Sequence, residues 1–169
     1  MRNVILTGFM GSGKSTVGQC LARRLGSRYV DLDALIVSRA GASINDIFAR
    51  NGEPHFRQLE TEAIRSISAC DGLVVSTGGG AVISPVNREL LHAAGVVVNL
   101  TASIEEIAAR LASDTERPLL REGRSPERIA AMLAEREPMY ADADLRIDTT
   151  GKSVEDVVAE IARFLETKG

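Results

Sequence analysis

The chain has 169 residues and a formal net charge of −3, from 20 Lys and Arg against 23 Asp and Glu. With 44% hydrophobic and 25% charged residues, its composition is that of a globular protein, and a domain of this length buries enough surface to need neither a disulfide nor a metal staple. The acidic balance excludes the electrostatic footprint of nucleic-acid or anionic-membrane binding, and no apolar run approaches a membrane span. Met1 to Gly8 resembles neither a signal nor a transit peptide, and Cys20 and Cys70 match no redox or zinc spacing. One domain over 1–169 in a reduced, cytoplasmic setting is the expectation, without repeats or long linkers.

Val4-Ile5-Leu6 is the first predicted strand, and Ser15 to Leu25 follows as a helix with Val17, Leu21 and Leu25 on one face. Tyr29 to Leu32 is a short second strand. Ile44 to Asn51 and Pro54 to Ala69 read as helices, the second with Phe56, Leu59, Ala63, Ile64 and Ile67 as its apolar stripe. Leu73 to Ser76 is a third strand running into glycines, and Val96 to Leu100 a fourth. Ser103-Ile104-Glu105-Glu106 is a capping box, and Ser125-Pro126 opens another helix. A weaker strand covers Leu145 to Ile147, and Ser153 caps the last helix, faced by Val154, Val157, Val158, Ile161 and Leu165. Apolar strands separated by helices imply a parallel sheet covered on both faces. Such sheets bind ligands at the carboxyl ends of their strands, so the chemistry belongs to residues just after each strand.

Gly8-Phe9-Met10-Gly11-Ser12-Gly13-Lys14-Ser15 is a complete phosphate-loop motif with a strand before it and a helix after it. Its glycines turn successive backbone N–H groups toward a phosphate, and the helix N-terminus adds its dipole. Lys14 supplies charge for the β- and γ-phosphates, and Ser15 an oxygen ligand for Mg²⁺. The motif points to a nucleoside triphosphate without saying how it is used.

Asp31-Leu32-Asp33 is read as the end of the second strand, where residues i and i+2 face the same side. Both carboxylates then point into the cleft, to hold Mg²⁺ through water or to accept a hydrogen bond from a substrate hydroxyl. The alternative is that Asp33 caps a helix beginning at Ala34. Arg136 lies on the inward stripe of its helix, with Ile129, Met132 and Leu133, and a charge there needs a partner or a ligand. Arg57 reads either as an ordinary surface ion pair with Glu60 or as a fork for a substrate carboxylate or phosphate. Arg117 lies in a charged stretch, about 112–124, which reads either as a solvated loop or as a lid. Gly78-Gly79-Gly80, after Ser76-Thr77, allows close backbone approach to a ligand.

Taken together, Gly8 to Thr16, Asp31-Leu32-Asp33, Ile47-Phe48, Gly52-Glu53, Phe56-Arg57-Gln58-Leu59-Glu60, Thr77 to Gly80, Arg117-Pro118-Leu119-Leu120 and Glu135-Arg136 with Tyr140 resemble the shikimate kinase family. The family sits among the nucleoside-monophosphate-kinase-like P-loop proteins. The resemblance implies a three-layer αβα fold with five parallel strands in order 2-3-1-4-5, a lid over about 112–124, and a substrate-binding segment over about 33–61. It implies transfer of the ATP γ-phosphate to the 3-hydroxyl of shikimate, on the route to chorismate and the aromatic amino acids. Gly11, Ser12, Gly13, Lys14, Ser15 and Thr16 would hold ATP, with Ser15 and Asp31 at Mg²⁺. Asp33, Arg57, Gly78, Gly79, Gly80 and Arg136 would hold shikimate. Lys14, Asp33 and Arg117 would be catalytic, with Arg117 also reaching ATP, and Arg110 and the loop around Lys152 would frame adenine. The expected partners are ATP and shikimate, with no nucleic acid or membrane, and the expected state is a monomer. Other small-molecule kinases, such as a gluconate kinase, or a non-catalytic nucleotide-binding module remain as alternatives.

Overall fold

A computed structural model describes residues 1–112 and 125–169. Arg117 and the lid expected over about 112–124, apart from Ala112, lie outside the described residues. In chain order the elements are β1 (Asn3–Thr7), α1 (Lys14–Leu25), β2 (Arg28–Asp31), α2 (Leu32–Ala40), α3 (Ile44–Ile67), β3 (Leu73–Ser76), α4 (Pro85–Ala94), β4 (Gly95–Thr101), α5 (Ile104–Leu111), α6 (Pro126–Tyr140), β5 (Leu145–Asp148) and α7 (Val154–Lys168). The five strands form one sheet in the order β2-β3-β1-β4-β5, every pair parallel.

Side-chain alternation sends each strand's residues into two cores. Val4 and Leu6 of β1 pack with Val17 and Leu21 of α1 and Ile161 of α7 on one face. Ile5 between them joins Ile64 of α3, Leu91 of α4, Ile107 of α5 and Ile129 of α6 on the other. At the amino end of β1, fully buried Asn3 donates to the carbonyls of Cys70 (2.7 Å) and Ala94 (3.2 Å) and accepts from Leu73 N–H (2.9 Å). One amide thus fixes the starts of three neighbouring strands.

Two local readings need correction. β2 ends at Asp31 and α2 starts at Leu32, so Asp33 lies in a helical first turn and strand alternation does not place it. The cap of that helix is Asp31, whose Oδ1 accepts from Ala34 N–H at 2.9 Å. The two helices expected between Ile44 and Ala69 are both present within α3, separated by a kink at Gly52, whose φ of 81° lies in the left-handed region that breaks the hydrogen-bond ladder. At Ser103 only half of the capping box forms. The serine accepts from Glu106 N–H (3.2 Å), while the Glu106 carboxylate turns to Arg110 (3.1 Å) and to Gly151 N–H (3.4 Å).

Candidate functional site

β1 and β3 bring the two halves of the site to adjacent strand ends. The phosphate loop leaves β1 and ends at Gly13, the N-cap of α1, with φ 92° and no side-chain cap. The first-turn N–H groups of α1 are therefore left for an anion. Lys14 is buried (8% exposed) and its Nζ donates to the carbonyls of Gly8 (2.6 Å) and Phe9 (2.9 Å). Ser12 is buried beside it, while Ser15 and Thr16 face solvent from the start of α1. The Ser15 hydroxyl donates to Asp31 Oδ2 at 3.4 Å.

Arg110, in the last turn of α5, donates to the Gly11 carbonyl at 2.6 Å and approaches Gly13. Lys152 lies in the loop after β5, and its amine goes to Glu160 on α7 (3.1 Å). Glu106 joins the two neighbourhoods through Arg110 and Gly151 N–H.

Beyond Met10 of the loop opens a cavity of about 510 Å³, whose walls include Asp33, Phe48, Arg57, Glu60 and the three glycines. Arg57 is held on its own helix by Glu60 (2.9 Å) and Glu53 (3.4 Å), and its guanidinium lies 5.3 Å from the Phe56 ring centre. Glu60 is fully buried, which pushes its carboxyl pKa up; Arg57 and Arg136 pull it back, and Asp33 adds to the rise. Its Oε2 is buried without a hydrogen-bond partner.

None of Gly78, Gly79 and Gly80 has a left-handed φ. What they supply is space. A Cβ on Gly78 would lie 2.9 Å from Asp33 Oδ1, one on Gly79 3.2 Å from Met10 Cγ, and one on Gly80 2.5 Å from Arg57 Nη2.

Arg136 is 7% exposed, as its place on the inward stripe requires. Its guanidinium stands 5.7 Å from the Phe9 ring centre, and Nη1 is buried without a hydrogen bond. Tyr140, one turn on, donates its hydroxyl to the Gly79 carbonyl at 2.6 Å. Burial pushes the Tyr140 hydroxyl up, against the pull of Arg136 and Arg57. The structure thus brings Asp33, Arg57, the glycine run and Arg136 around the mouth of the phosphate loop, with Arg110 on the loop's far side. Glu60 and Phe48 are wall residues that chemistry alone passes over: Glu60 reads only as an ion-pair partner of Arg57, and Phe48 only as part of a motif shared with the family.

The shikimate kinase family model matches residues 10–166. A shikimate kinase of Geobacter metallireducens is 72% identical, covering 98% of this chain and 93% of that protein. The chain belongs to the shikimate kinase family. A shikimate kinase of Geobacter sulfurreducens is 68% identical over 97% of this chain and 91% of its own length. Among solved structures, shikimate kinase from Acinetobacter baumannii in complex with shikimate superposes with a TM-score of 0.95, at 35% identity, covering 99% of this chain and 94% of that one. The expected fold, with its strand order 2-3-1-4-5, is the one observed in this shikimate kinase family member.

Proposed function

We propose that the chain transfers the γ-phosphate of ATP to the 3-hydroxyl of shikimate, giving ADP and shikimate 3-phosphate. It is an ATP-dependent phosphotransferase. One observation carries the choice of acceptor: a cavity that begins at the phosphate loop is walled by a carboxylate, an arginine fork and bare backbone. A small hydroxylated acid needs those groups, because an arginine binds two carboxylate oxygens at once and a carboxylate accepts from hydroxyls.

Arg57 and Arg136 grip the acceptor's carboxylate, Gly78, Gly79 and Gly80 lie against its ring, and Asp33 accepts from the reacting hydroxyl. That oxygen bonds to the γ-phosphorus as the bond to the β,γ-bridging oxygen breaks. The hydroxyl proton passes to Asp33, and ADP leaves. Phosphoryl transfer through a loose transition state rests mainly on positioning and charge. Gly11, Ser12 and Gly13 supply backbone, Lys14 supplies charge from the loop, and Arg117 comes onto the phosphates from its charged segment. Thr16, Arg110 and the loop around Lys152 complete the nucleotide site.

Among the described residues no group of three His, Cys, Asp or Glu side chains is placed to hold a metal. The Ser15 hydroxyl and Asp31 carboxylate, 3.4 Å apart, are hard oxygen donors that suit Mg²⁺ together with phosphate oxygens. When bound, that ion neutralises charge on the β- and γ-phosphates. No helix among the described residues is long and apolar enough to cross a membrane. A monomer working in the cytoplasm, without nucleic acid, completes the proposal.

The test is coupled ADP release with Mg-ATP against shikimate, gluconate and no acceptor. Shikimate-dependent release is expected, with gluconate at the no-acceptor level. Equal rates with both acids would reject the acceptor assignment.

A further inference from the structure

Asn87 of α4 is a polar residue at a position where the core calls for an apolar one. The buried face of that helix is Asn87, Leu91 and Ala94, and Asn87 is 1% exposed. A leucine there would bury more apolar surface without desolvating an amide. The amide instead joins two other segments. Its Nδ2 donates to the Ala81 carbonyl at 2.9 Å, and because a carbonyl can only accept, this contact fixes which way the amide points. Oδ1 then faces the Thr61 hydroxyl on α3 at 2.7 Å and takes its one proton.

Both partners adjoin the acceptor cavity. Thr61 lies one turn after Arg57 on α3, and its hydroxyl oxygen stands 3.1 Å from the Arg57 carbonyl. Ala81 follows Gly80 and opens a short turn, Ala81–Ile83. That turn is tied back to the glycines, with Ala81 N–H donating to the Gly78 carbonyl (3.1 Å) and Ile83 N–H to the Gly80 carbonyl (3.2 Å). Gly80 in turn lies so near the Arg57 guanidinium that a Cβ would come within 2.5 Å of Nη2. The spacing between glycine backbone and guanidinium is therefore set from behind, through one buried amide. The outer part of the turn is held separately by Arg88, whose Nη1 donates to the carbonyls of Val82 (2.7 Å) and Ile83 (3.2 Å).

We propose that Asn87 is a positioning residue of the acceptor site, its amide holding the glycine backbone at the spacing from Arg57 that lets both grip one molecule. The inference rests on the acceptor reading of the cavity given above.

The test is steady-state kinetics with Mg-ATP and shikimate, with direct shikimate titration, on the full chain. The variants are Asn87→Leu, Thr61→Val, Thr61→Ser, and Asn87→Leu in an Arg57→Ala background, with thermal unfolding recorded alongside. Asn87→Leu is expected to raise the shikimate KM and Kd by about 3- to 10-fold, the size of one neutral hydrogen bond, with the KM for ATP unchanged. Thr61→Val, at a half-buried position, should act in the same direction and carries the test if Asn87→Leu does not fold. Thr61→Ser keeps the hydroxyl and should keep the wild-type shikimate KM. Without Arg57, Asn87→Leu should add little. A merely structural role would lower the melting temperature and the active fraction, and so kcat, but leave the shikimate KM in place; that outcome overturns the proposal. So does an equal rise in both KM values, a Thr61→Ser variant as impaired as Thr61→Val, or an undiminished effect in the Arg57→Ala background. A wild type that binds no shikimate rejects the acceptor reading and this proposal with it. A wild type that turns over shikimate beside variants of unchanged KM rejects this proposal alone.

Discussion

The phosphate loop and the acceptor cavity lie side by side but are built in opposite ways. The loop is one contiguous stretch whose working groups are mostly backbone, closed by Lys14 on the carbonyls of Gly8 and Phe9. The cavity is assembled from side chains on four separate segments, and its glycines serve by leaving room for those side chains. A backbone site tolerates little change in conformation and writes itself into consecutive residues. A side-chain site depends on charges held against burial, and so ties function to stability.

The comparison fails if damage to one half spreads equally to the other. On the loop side, Lys14→Ala and Arg117→Ala are each expected to lower kcat by on the order of 10³-fold or more. Shikimate affinity should stay nearly intact in both, as measured by direct titration. An Arg117→Ala variant that changed only shikimate affinity would move that residue to the acceptor side. On the cavity side, Gly80→Ala sets a methyl group where Arg57 Nη2 would stand 2.5 Å away. The guanidinium must move, and losing its charge-assisted contact should raise the shikimate KM about 10- to 100-fold. The KM for ATP should hold.

Arg57→Ala probes the tie to stability. It leaves buried Glu60 without its nearest cation, which costs about 1–3 kcal/mol, less than a fully buried pair because Arg57 is 23% exposed. Burial already holds the Glu60 carboxyl above its ordinary 4.5. The folded state then keeps a proton that the unfolded chain releases, so stability is greatest below the unfolded value and declines as pH rises through the folded one. Removing Arg57 carries the folded value further up and widens that window. Melting curves from pH 4 upward should show a steeper decline for Arg57→Ala than for the wild type, and Glu60→Gln in the same background should abolish the difference. The smallest effect is expected at an exposed ion pair outside both halves. Arg146 on β5 pairs with Glu137 at 2.6 Å and holds its carboxyl below the usual range. Because that pair is exposed, Glu137→Gln, which leaves the Arg146 bond to Asn99 (3.2 Å) in place, should cost no more than about 1 kcal/mol at neutral pH. The cost should fade as pH drops through the lowered Glu137 value, and activity should be unaffected.

The three central strands β1, β3 and β4 were legible because each carries an apolar run with a helix or turn signal on either side, the mixed edge strands β2 and β5 less so, and the loop because its motif is contiguous. Arg136 was legible as a charge on an apolar stripe. The helix α4 was missed because its inward face carries Asn87, which donates to the Ala81 carbonyl (2.9 Å) and accepts from Thr61 (2.7 Å), so the apolar period is broken. Asp33 was assigned to the cleft for the wrong reason, since the strand ends at Asp31, two residues earlier than strand alternation assumed. The cavity as a unit could not be read from spacing. Asp33, Arg57, the glycines and Arg136 are joined only by strand order and helix docking, and resemblance to a family supplied the grouping.

Phe9 belongs to both halves. Its carbonyl accepts from Lys14 at 2.9 Å and from Ser12 N–H at 3.2 Å, and its ring stands beneath the Arg136 guanidinium. Any adjustment of the loop that shifts this residue is felt by the arginine, and the reverse holds equally. Two sites joined through one rigid aromatic share a single coupling free energy. By whatever factor a nucleotide alters the grip on the acceptor, the acceptor must alter the grip on the nucleotide by the same factor.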